Sequence, residues 1–310
     1  MTLKAVAVAP SKVIIIGEHF VVHGAWALAA AIGRGTTVEV RPSDEFLING
    51  RPTSPMPSSL RPTAGVIQEM ARLYGFKTKL RVDVTSRVPV GSGLGSSASA
   101  MVAVASAVSS FSSLGLGEKE IIESASVGER MIHGRPSGID ATVCGLGGVL
   151  LFRQGEAPRR VDIMGQRRII VVNSGKARST KRLVSKVSGV SEENPHFFTA
   201  LARSVGDLAL QAAERLGEGD GRGLGSLMTL NQAALSALGV STPQLDGLID
   251  RMLWLGCYGA KLTGAGGGGC VLAVAPEGKE KRIISEVTGR GLEAFAEVIP
   301  VGGVKSWLER

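Results

Sequence analysis

Residues 89–111 constrain this chain more than any other stretch. Pro89-Val90-Gly91-Ser92-Gly93-Leu94-Gly95-Ser96-Ser97-Ala98 follows an alternating apolar run and opens a segment, Ser96 to Phe111, made almost wholly of Ala, Val, Ser and Met. That segment predicts a helix apolar on most of its faces, which has to lie deep inside the protein. In the loop before it, glycines reach backbone conformations closed to other residues and let successive N–H groups turn toward one point. The helix N-terminus adds its positive dipole end, so the combination suits an anion such as a triphosphate. Ser96 and Ser97 offer hydroxyls for a helix cap or a magnesium ion. No Gly-Lys-Ser/Thr closes the loop, so it is not a Walker motif. Taken alone it fits a flexible turn with a serine cap equally well.

The chain around it has 310 residues, enough for two domains. Its 42 glycines are concentrated in short runs and show no repeat, which points to tight loops rather than disorder. A formal charge of +8 is compatible with nucleic acid, but the basic residues are scattered in short pairs such as Arg159-Arg160 and Arg167-Arg168. Aromatic residues make up only 4%, too few for base-stacking platforms, so a nucleic-acid partner is not expected. The same positive balance suits an enzyme that handles phosphates and a carboxylate. Cys144, Cys257 and Cys270 have no metal-like spacing and read as buried thiols in a reducing compartment. With no leader pattern and no long uncharged apolar run, the expected location is cytoplasmic, with no membrane partner.

Hydrophobic periodicity divides the chain into a mixed first half and a helix-rich second half. Strands are predicted at Lys12 to Gly17, Thr36 to Arg41, Leu80 to Val90, Gly147 to Arg153 and Arg168 to Asn173. Helices are predicted from Pro62 to Leu73, with Gly75 as the stop, and from Glu118 to His133, with Gly134 as the stop. Further helices are expected near 197–216, 224–238 and 243–255. Strands at Gly259–Leu262 and Cys270–Val274, a helix near 279–288 and a strand near 294–301 complete a split βαβ pattern. The polar stretch 154–166 suggests a division into residues 1–160 and 161–310.

Three other segments carry polar groups that such elements do not need. In Pro10-Ser11-Lys12-Val13-Ile14-Ile15-Ile16-Gly17-Glu18-His19, Lys12 stands at the mouth of an otherwise buried strand, and Glu18 and His19 end it. Lys12 reads either as a solvated lysine or as a site residue, and His19 either as a structural histidine or as a ligand contact. In Glu129-Arg130-Met131-Ile132-His133-Gly134-Arg135-Pro136-Ser137-Gly138-Ile139-Asp140, Glu129 is an acid near a helix C-terminus, where the dipole disfavours it and a partner is expected. Asp140 fits an N-terminal capping acid or a base. In Thr263-Gly264-Ala265-Gly266-Gly267-Gly268-Gly269-Cys270, four consecutive glycines cost conformational entropy. Close approach to a ligand or to the other glycine loop would offset that cost; a hairpin needs only two such residues.

Together these motifs resemble, in order and over residues 10–270, the three signatures of the GHMP kinase superfamily. Within it, Gly-Glu-His-x-Val-Val-His-Gly from Gly17 and Gly-Glu-Arg-x-Ile-His-Gly-x-Pro-Ser-Gly-Ile-Asp from Gly128 are similar to the mevalonate kinase pattern. Arg178-Ser179-Thr180-Lys181 is similar to a substrate-site segment of that branch. The resemblance implies an α+β fold, with an N-terminal domain like ribosomal protein S5 domain 2, a ferredoxin-like C-terminal domain and a site in the cleft between them. It implies ATP and mevalonate as substrates and Mg2+ as cofactor. By the same resemblance Asp140 and Lys12 are catalytic, and residues 89–97 (Pro89, Val90, Gly91, Ser92, Gly93, Leu94, Gly95, Ser96 and Ser97) bind ATP. Ser97 and Glu129 ligate the metal, Glu18, His19 and Thr180 position the acceptor, and Gly264, Ala265, Gly266 and Gly267 form the third motif. Ser11, Phe20 and Trp26 depart from the family pattern, Phe20 being expected to crowd the substrate side. No motif speaks to oligomeric state, and a homodimer is left open.

Overall fold

The computed structural model describes residues 3–89, 91–134, 136–176 and 180–309. Strands β1 (Lys4–Ile16), β2 (Ala27–Pro42), β3 (Leu47–Ile48) and β4 (Arg51–Pro52) come first, followed by helix α1 (Arg61–Tyr74) and strand β5 (Leu80–Ser86). Helices α2 (Ser96–Phe111), α3 (Glu118–His133) and α4 (Ile139–Leu146) lead into β6 (Val149–Phe152), β7 (Arg159–Arg160) and β8 (Arg167–Asn173). Four helices follow, α5 (Thr180–Glu193), α6 (Pro195–Glu218), α7 (Gly221–Ala237) and α8 (Pro243–Trp254). The chain closes with β9 (Gly259–Leu262), β10 (Cys270–Val274), α9 (Glu280–Thr288), β11 (Glu293–Ile299) and β12 (Lys305–Glu309).

Two sheets organise these elements. The larger runs β12-β1-β2-β5-β3-β4, with β6 bridging β2 and β7. The smaller is antiparallel, in the order β11-β8-β10-β9. Because β12 pairs with β1, the C-terminal strand lies in the first sheet although it falls beyond the division expected at residue 160.

The long strand β1 serves two cores. Ala5, Ala7 and Ala9 pack in the cluster built around α2, while Val13, Ile15 and Ile16 belong to the core shared with β8, α6 and α7. Its register against β2 shifts at Pro10/Ser11, between those two sets, and such an irregularity lets a strand bend from one packing surface to another. Strands β1 and β2 start earlier than periodicity predicts, at Lys4 and Ala27, because Ala-rich runs carry little strand propensity and only tertiary burial makes them strands. Strand β5 ends at Ser86, short of Val90, where the glycine loop takes over. Helix α5 and strand β12 were not expected from the sequence; α5 buries only Val187.

Helix α2 has the predicted bounds and is buried along most of its length, from Ala98 to Ser109 with few breaks. Its small side chains let β1, β2, α3 and α4 close in on it. All three cysteines are buried, and no disulfide joins them. No helix among the described residues is long and apolar enough to cross a membrane.

A second close approach fixes β9 beneath α7. A Cβ at Gly225 would lie 2.5 Å from the Tyr258 carbonyl carbon and 2.7 Å from the Gly259 nitrogen, both backbone atoms that cannot swing aside. Alanine is favoured over glycine by about 1 kcal/mol inside an isolated helix. Gly225→Ala should nevertheless destabilise the protein, by about 2 kcal/mol or more, because overpacking outweighs propensity here. Chemical denaturation at neutral pH checks this, and an unchanged or raised midpoint would contradict the packing argument.

Candidate active site

A cavity of about 460 Å³ opens where the end of β1, the glycine loop, the start of α4 and the third motif converge. Residues from each motif line it, among them Lys12, Glu18, His19, Ser97, Asp140 and Gly264. Segments far apart in the chain meet there through backbone bonds. The Lys12 N–H donates to the Leu94 carbonyl at 3.0 Å, and the Cys270 N–H donates to the Ser92 carbonyl at 3.1 Å. The second bond joins the two glycine motifs directly, as the entropy cost of the Gly266–Gly269 run suggested.

Lys12 is neither solvated nor at a strand mouth. It sits within β1, its side chain is only 3% exposed, and its Nζ lies 3.0 Å from Asp140 Oδ1. Gly95 makes room for it: at φ 75° a Cβ there would meet Lys12 Cγ at 2.8 Å. Asp140 is not a capping acid either. Gly138 holds the N-cap position of α4 with no side-chain cap bond, and Asp140 stands in the first turn, where the helix dipole favours negative charge. Its carboxylate remains about a third exposed, so one buried cation faces one accessible anion at the cavity wall.

In the glycine loop before α2, Gly91, Gly93 and Gly95 all take positive φ, at 73°, 87° and 75°. Ser92 Oγ donates to the Pro89 carbonyl at 2.6 Å and braces the turn. Gly91, Ser92, Gly93, Gly95, Ser96 and Ser97 line the cavity; the Leu94 side chain is buried in the core, and Val90 lies outside the described residues. Helix α2 is capped by Gly95, so neither Ser96 nor Ser97 spends its hydroxyl as the N-cap.

Behind Ser97 stands Glu129 on α3, 3% exposed, with Oε1 lacking any hydrogen-bond partner. Burial, reinforced by the Asp140 charge, pushes its carboxyl up to about 7, while a hydrogen bond from Ser97 and the charge of Lys12 pull the other way. Ser97 therefore serves one side of this acid, and Oε1 is left unsatisfied. A carboxylate oxygen left unsatisfied beside a hydroxyl and a second acid suits a hard cation with oxygen ligands. No cluster of three His, Cys, Asp or Glu side chains able to hold a metal occurs among the described residues. The donor set therefore fits an ion such as Mg2+ that takes one or two protein oxygens and completes its shell with phosphates and water.

On the other wall, His19 has φ 64° and its Nε2 lies 3.0 Å from the Ala265 carbonyl. Thr180 begins α5 and lines the cavity with Val184; of the other matched residues of that segment, Lys181 is exposed, and Arg178 and Ser179 lie outside the described ones. Gly264 and Ala265 face the cavity, whereas Gly266 and Gly267 press against Val240 and Leu183. Phe20 does not crowd the substrate side. It is fully buried, 5.6 Å from the Phe198 ring, while Trp26 lies beneath the Arg159 guanidinium at 4.4 Å.

Residues 62–148 match the family model of the GHMP kinases N terminal domain, and residues 209–292 match that of the GHMP kinases C terminal. A mevalonate kinase of Aeropyrum pernix is 35% identical, over 98% of this chain and 99% of its own. The chain belongs to the GHMP kinases. Solved structures agree: L. major mevalonate kinase in complex with R-mevalonate superposes with a TM-score of 0.82 at 27% identity, over 96% of each chain. Methanococcus jannaschii mevalonate kinase superposes with a TM-score of 0.83 at 26% identity, over 96% of this chain and 98% of that one.

In this GHMP kinase the site also holds residues that sequence reading passed over. His133 ends α3 with Nε2 3.4 Å from Ser97 Oγ, and burial lowers its basicity. Ser137 lines the same wall. Both lie inside the Glu129–Asp140 motif, so their position was available and their orientation was not. Lys261 is fully buried against Glu18; its signal was a lone charge in the apolar run Gly-Ala-Lys-Leu.

Glu129 makes metal-free stability depend on pH. Its folded pKa exceeds the ordinary carboxylate value, so between about 4.5 and about 7 the folded state binds more protons and stability falls as pH rises. Glu129→Gln removes that cost. With EDTA at pH 8 the variant should melt above the wild type, by an amount on the order of 1–3 kcal/mol, and the gap should close toward pH 5. Thermal melts at the two pH values decide it; a variant less stable at pH 8 would mean that the Ser97 bond and the Lys12 charge outweigh the cost of burial.

Proposed function

We propose that this chain transfers the γ-phosphoryl group of ATP to the C5 hydroxyl of mevalonate, giving 5-phosphomevalonate and ADP. The observation that carries the chemistry is the Lys12–Asp140 pair at 3.0 Å, opening onto the cavity that the phosphate loop also lines. The choice of acceptor rests on near full-length kinship with mevalonate kinases.

The Gly91–Ser97 loop and the N-terminus of α2 present N–H groups to the triphosphate. Ser97 and Glu129 would hold Mg2+, which when bound neutralises charge on the β- and γ-phosphates. Glu18, His19 and Thr180 position the acceptor at the opposite wall. Asp140 accepts the proton of the attacking hydroxyl as the new P–O bond forms and the bond to the β-phosphate oxygen breaks. Lys12 holds the Asp140 carboxylate in place and offsets negative charge around the transferred group. Phosphoryl transfer passes through a loose transition state, so positioning and electrostatics count for more than the strength of the base. An aspartate paired with lysine is adequate for that task.

The primary C5 hydroxyl reaches in-line geometry with less crowding than the tertiary C3 hydroxyl, and misplacement by about 1 Å costs on the order of a hundredfold.

Asp140→Asn should lower kcat by about a thousandfold or more and leave the affinity for ATP nearly unchanged, since the lost interaction acts in the transition state. Steady-state kinetics with an ADP-release readout measures both; retention of more than about a tenth of kcat would remove Asp140 from the mechanism. The regiochemistry is tested separately by proton-coupled phosphorus NMR of the product. A C5 ester couples to two methylene protons, and an uncoupled phosphate signal would place the group on C3.

A further inference from the structure

Behind the wall that carries Glu18 lies a buried ion pair that the phosphoryl-transfer chemistry does not use. Lys261, the third residue of β9, is 0% exposed, and its ammonium donates to Glu18 Oε1 and, at 2.8 Å, to the Leu262 carbonyl. All four residues of β9 are buried, so an apolar side chain would serve the sheet and its packing at lower desolvation cost. Burial indeed depresses the Lys261 ammonium below the usual lysine range, with Glu18 pulling in the opposite direction. A cation kept at such a position calls for a reason other than folding.

Glu18 lines the cavity, and Lys261 does not. Of the two Glu18 oxygens, Oε1 is taken by Lys261, while Oε2 is buried and has no hydrogen-bond partner. The segment that carries Glu18 pairs with β2 up to Ile16 and is fastened further by the C-terminal half of the chain. The Gly17 N–H donates to Asn231 Oδ1 at 3.2 Å, Thr263 Oγ1 donates to the Ile14 carbonyl at 3.3 Å, and His19 meets the Ala265 carbonyl. The C-terminal half thus clasps the end of β1 from one side, and Lys261 is the element of that clasp that acts on the carboxylate itself.

Charge gives the arrangement a second effect. Both proposed substrates are anions, and an uncompensated carboxylate in the cavity wall would oppose their binding. With Lys261 behind it, Glu18 offers an oxygen that accepts a hydroxyl hydrogen bond without adding net negative charge. We propose that Lys261 is a positioning residue for the acceptor alcohol, acting from a fully buried place by fixing and neutralising Glu18. This inference rests on the acceptor-side role given to Glu18 above.

A double-mutant cycle on Glu18→Gln and Lys261→Met tests it, with KM for mevalonate, KM for ATP and kcat measured for each protein. Turnover of mevalonate by the wild type, measured first, tests the functional assignment separately; if another alcohol is the acceptor, the cycle is read on its KM. Each single variant should raise the acceptor KM by about tenfold or more and leave the ATP KM within about twofold. In the Glu18→Gln background, Lys261→Met should change the acceptor KM by less than about twofold, because Lys261 acts only through Glu18. Lys261→Met leaves a lone buried carboxylate and is the variant most at risk of not folding. The double variant carries no buried charge, so its comparison with Glu18→Gln then decides the matter alone. An unchanged acceptor KM in Glu18→Gln, a further tenfold rise in the double variant, or an equal rise in both KM values would each overturn the proposal.

Discussion

The ion pair between Lys12 and Asp140 is the constraint around which the rest of the site is arranged. Lys12 lies inside a sheet strand, where a charge is costly unless paired. Its partner comes from the first turn of a helix 128 residues later, and its stem needs the space that Gly95 leaves. Strand, glycine loop and helix therefore have to meet at one point. That requirement explains two local features that are each unfavourable alone: a lysine in a buried strand and a loop of left-handed glycines.

The two domains contribute differently to the cavity. The N-terminal one supplies the first glycine loop, the Lys12–Asp140 pair and Glu129, all near the N-termini of α2 and α4 or packed against them. The C-terminal one contributes Gly264, Ala265 and Thr180 to the lining, and beyond them mostly restraint. Asn231, Thr263 and Lys261 fasten the segment from Ile14 to Glu18, and the third motif joins its neighbour through the Cys270–Ser92 bond. The glycines at Gly225 and Gly259 let α7 approach β9 closely, which brings Asn231 and Lys261 to the same strand end. Packing far from the cavity thus helps to set the geometry of the wall that carries Glu18.

Much of this was legible in the sequence. Loop chemistry is local: a glycine run between a strand and a helix predicts a backbone anion cradle whatever surrounds it, and Gly91, Gly93 and Gly95 take the conformations that only such residues adopt readily. Helices α2 and α3 have the bounds that periodicity and their flanking glycines predict. The family relationship followed from three motifs in order, because their residue types and spacing are rare in combination.

What the sequence left open was the state of each polar group, since burial and pairing are properties of the folded whole. Lys12 read as well solvated as functional, Asp140 as well a cap as a base, and Phe20 as an obstacle in the cavity. The fold buries Lys12, gives the cap of α4 to Gly138 and turns Phe20 onto Phe198. Strand β12 and helix α5 were missed for the same reason: β12 exists because it pairs with β1, and α5 buries a single side chain. The sequence by itself determined the anion loop, the buried helix behind it and the kinship. Only the tertiary structure decided which charges face each other, because Coulombic and desolvation energies depend on separations and exposures that no spacing of residues along the chain encodes.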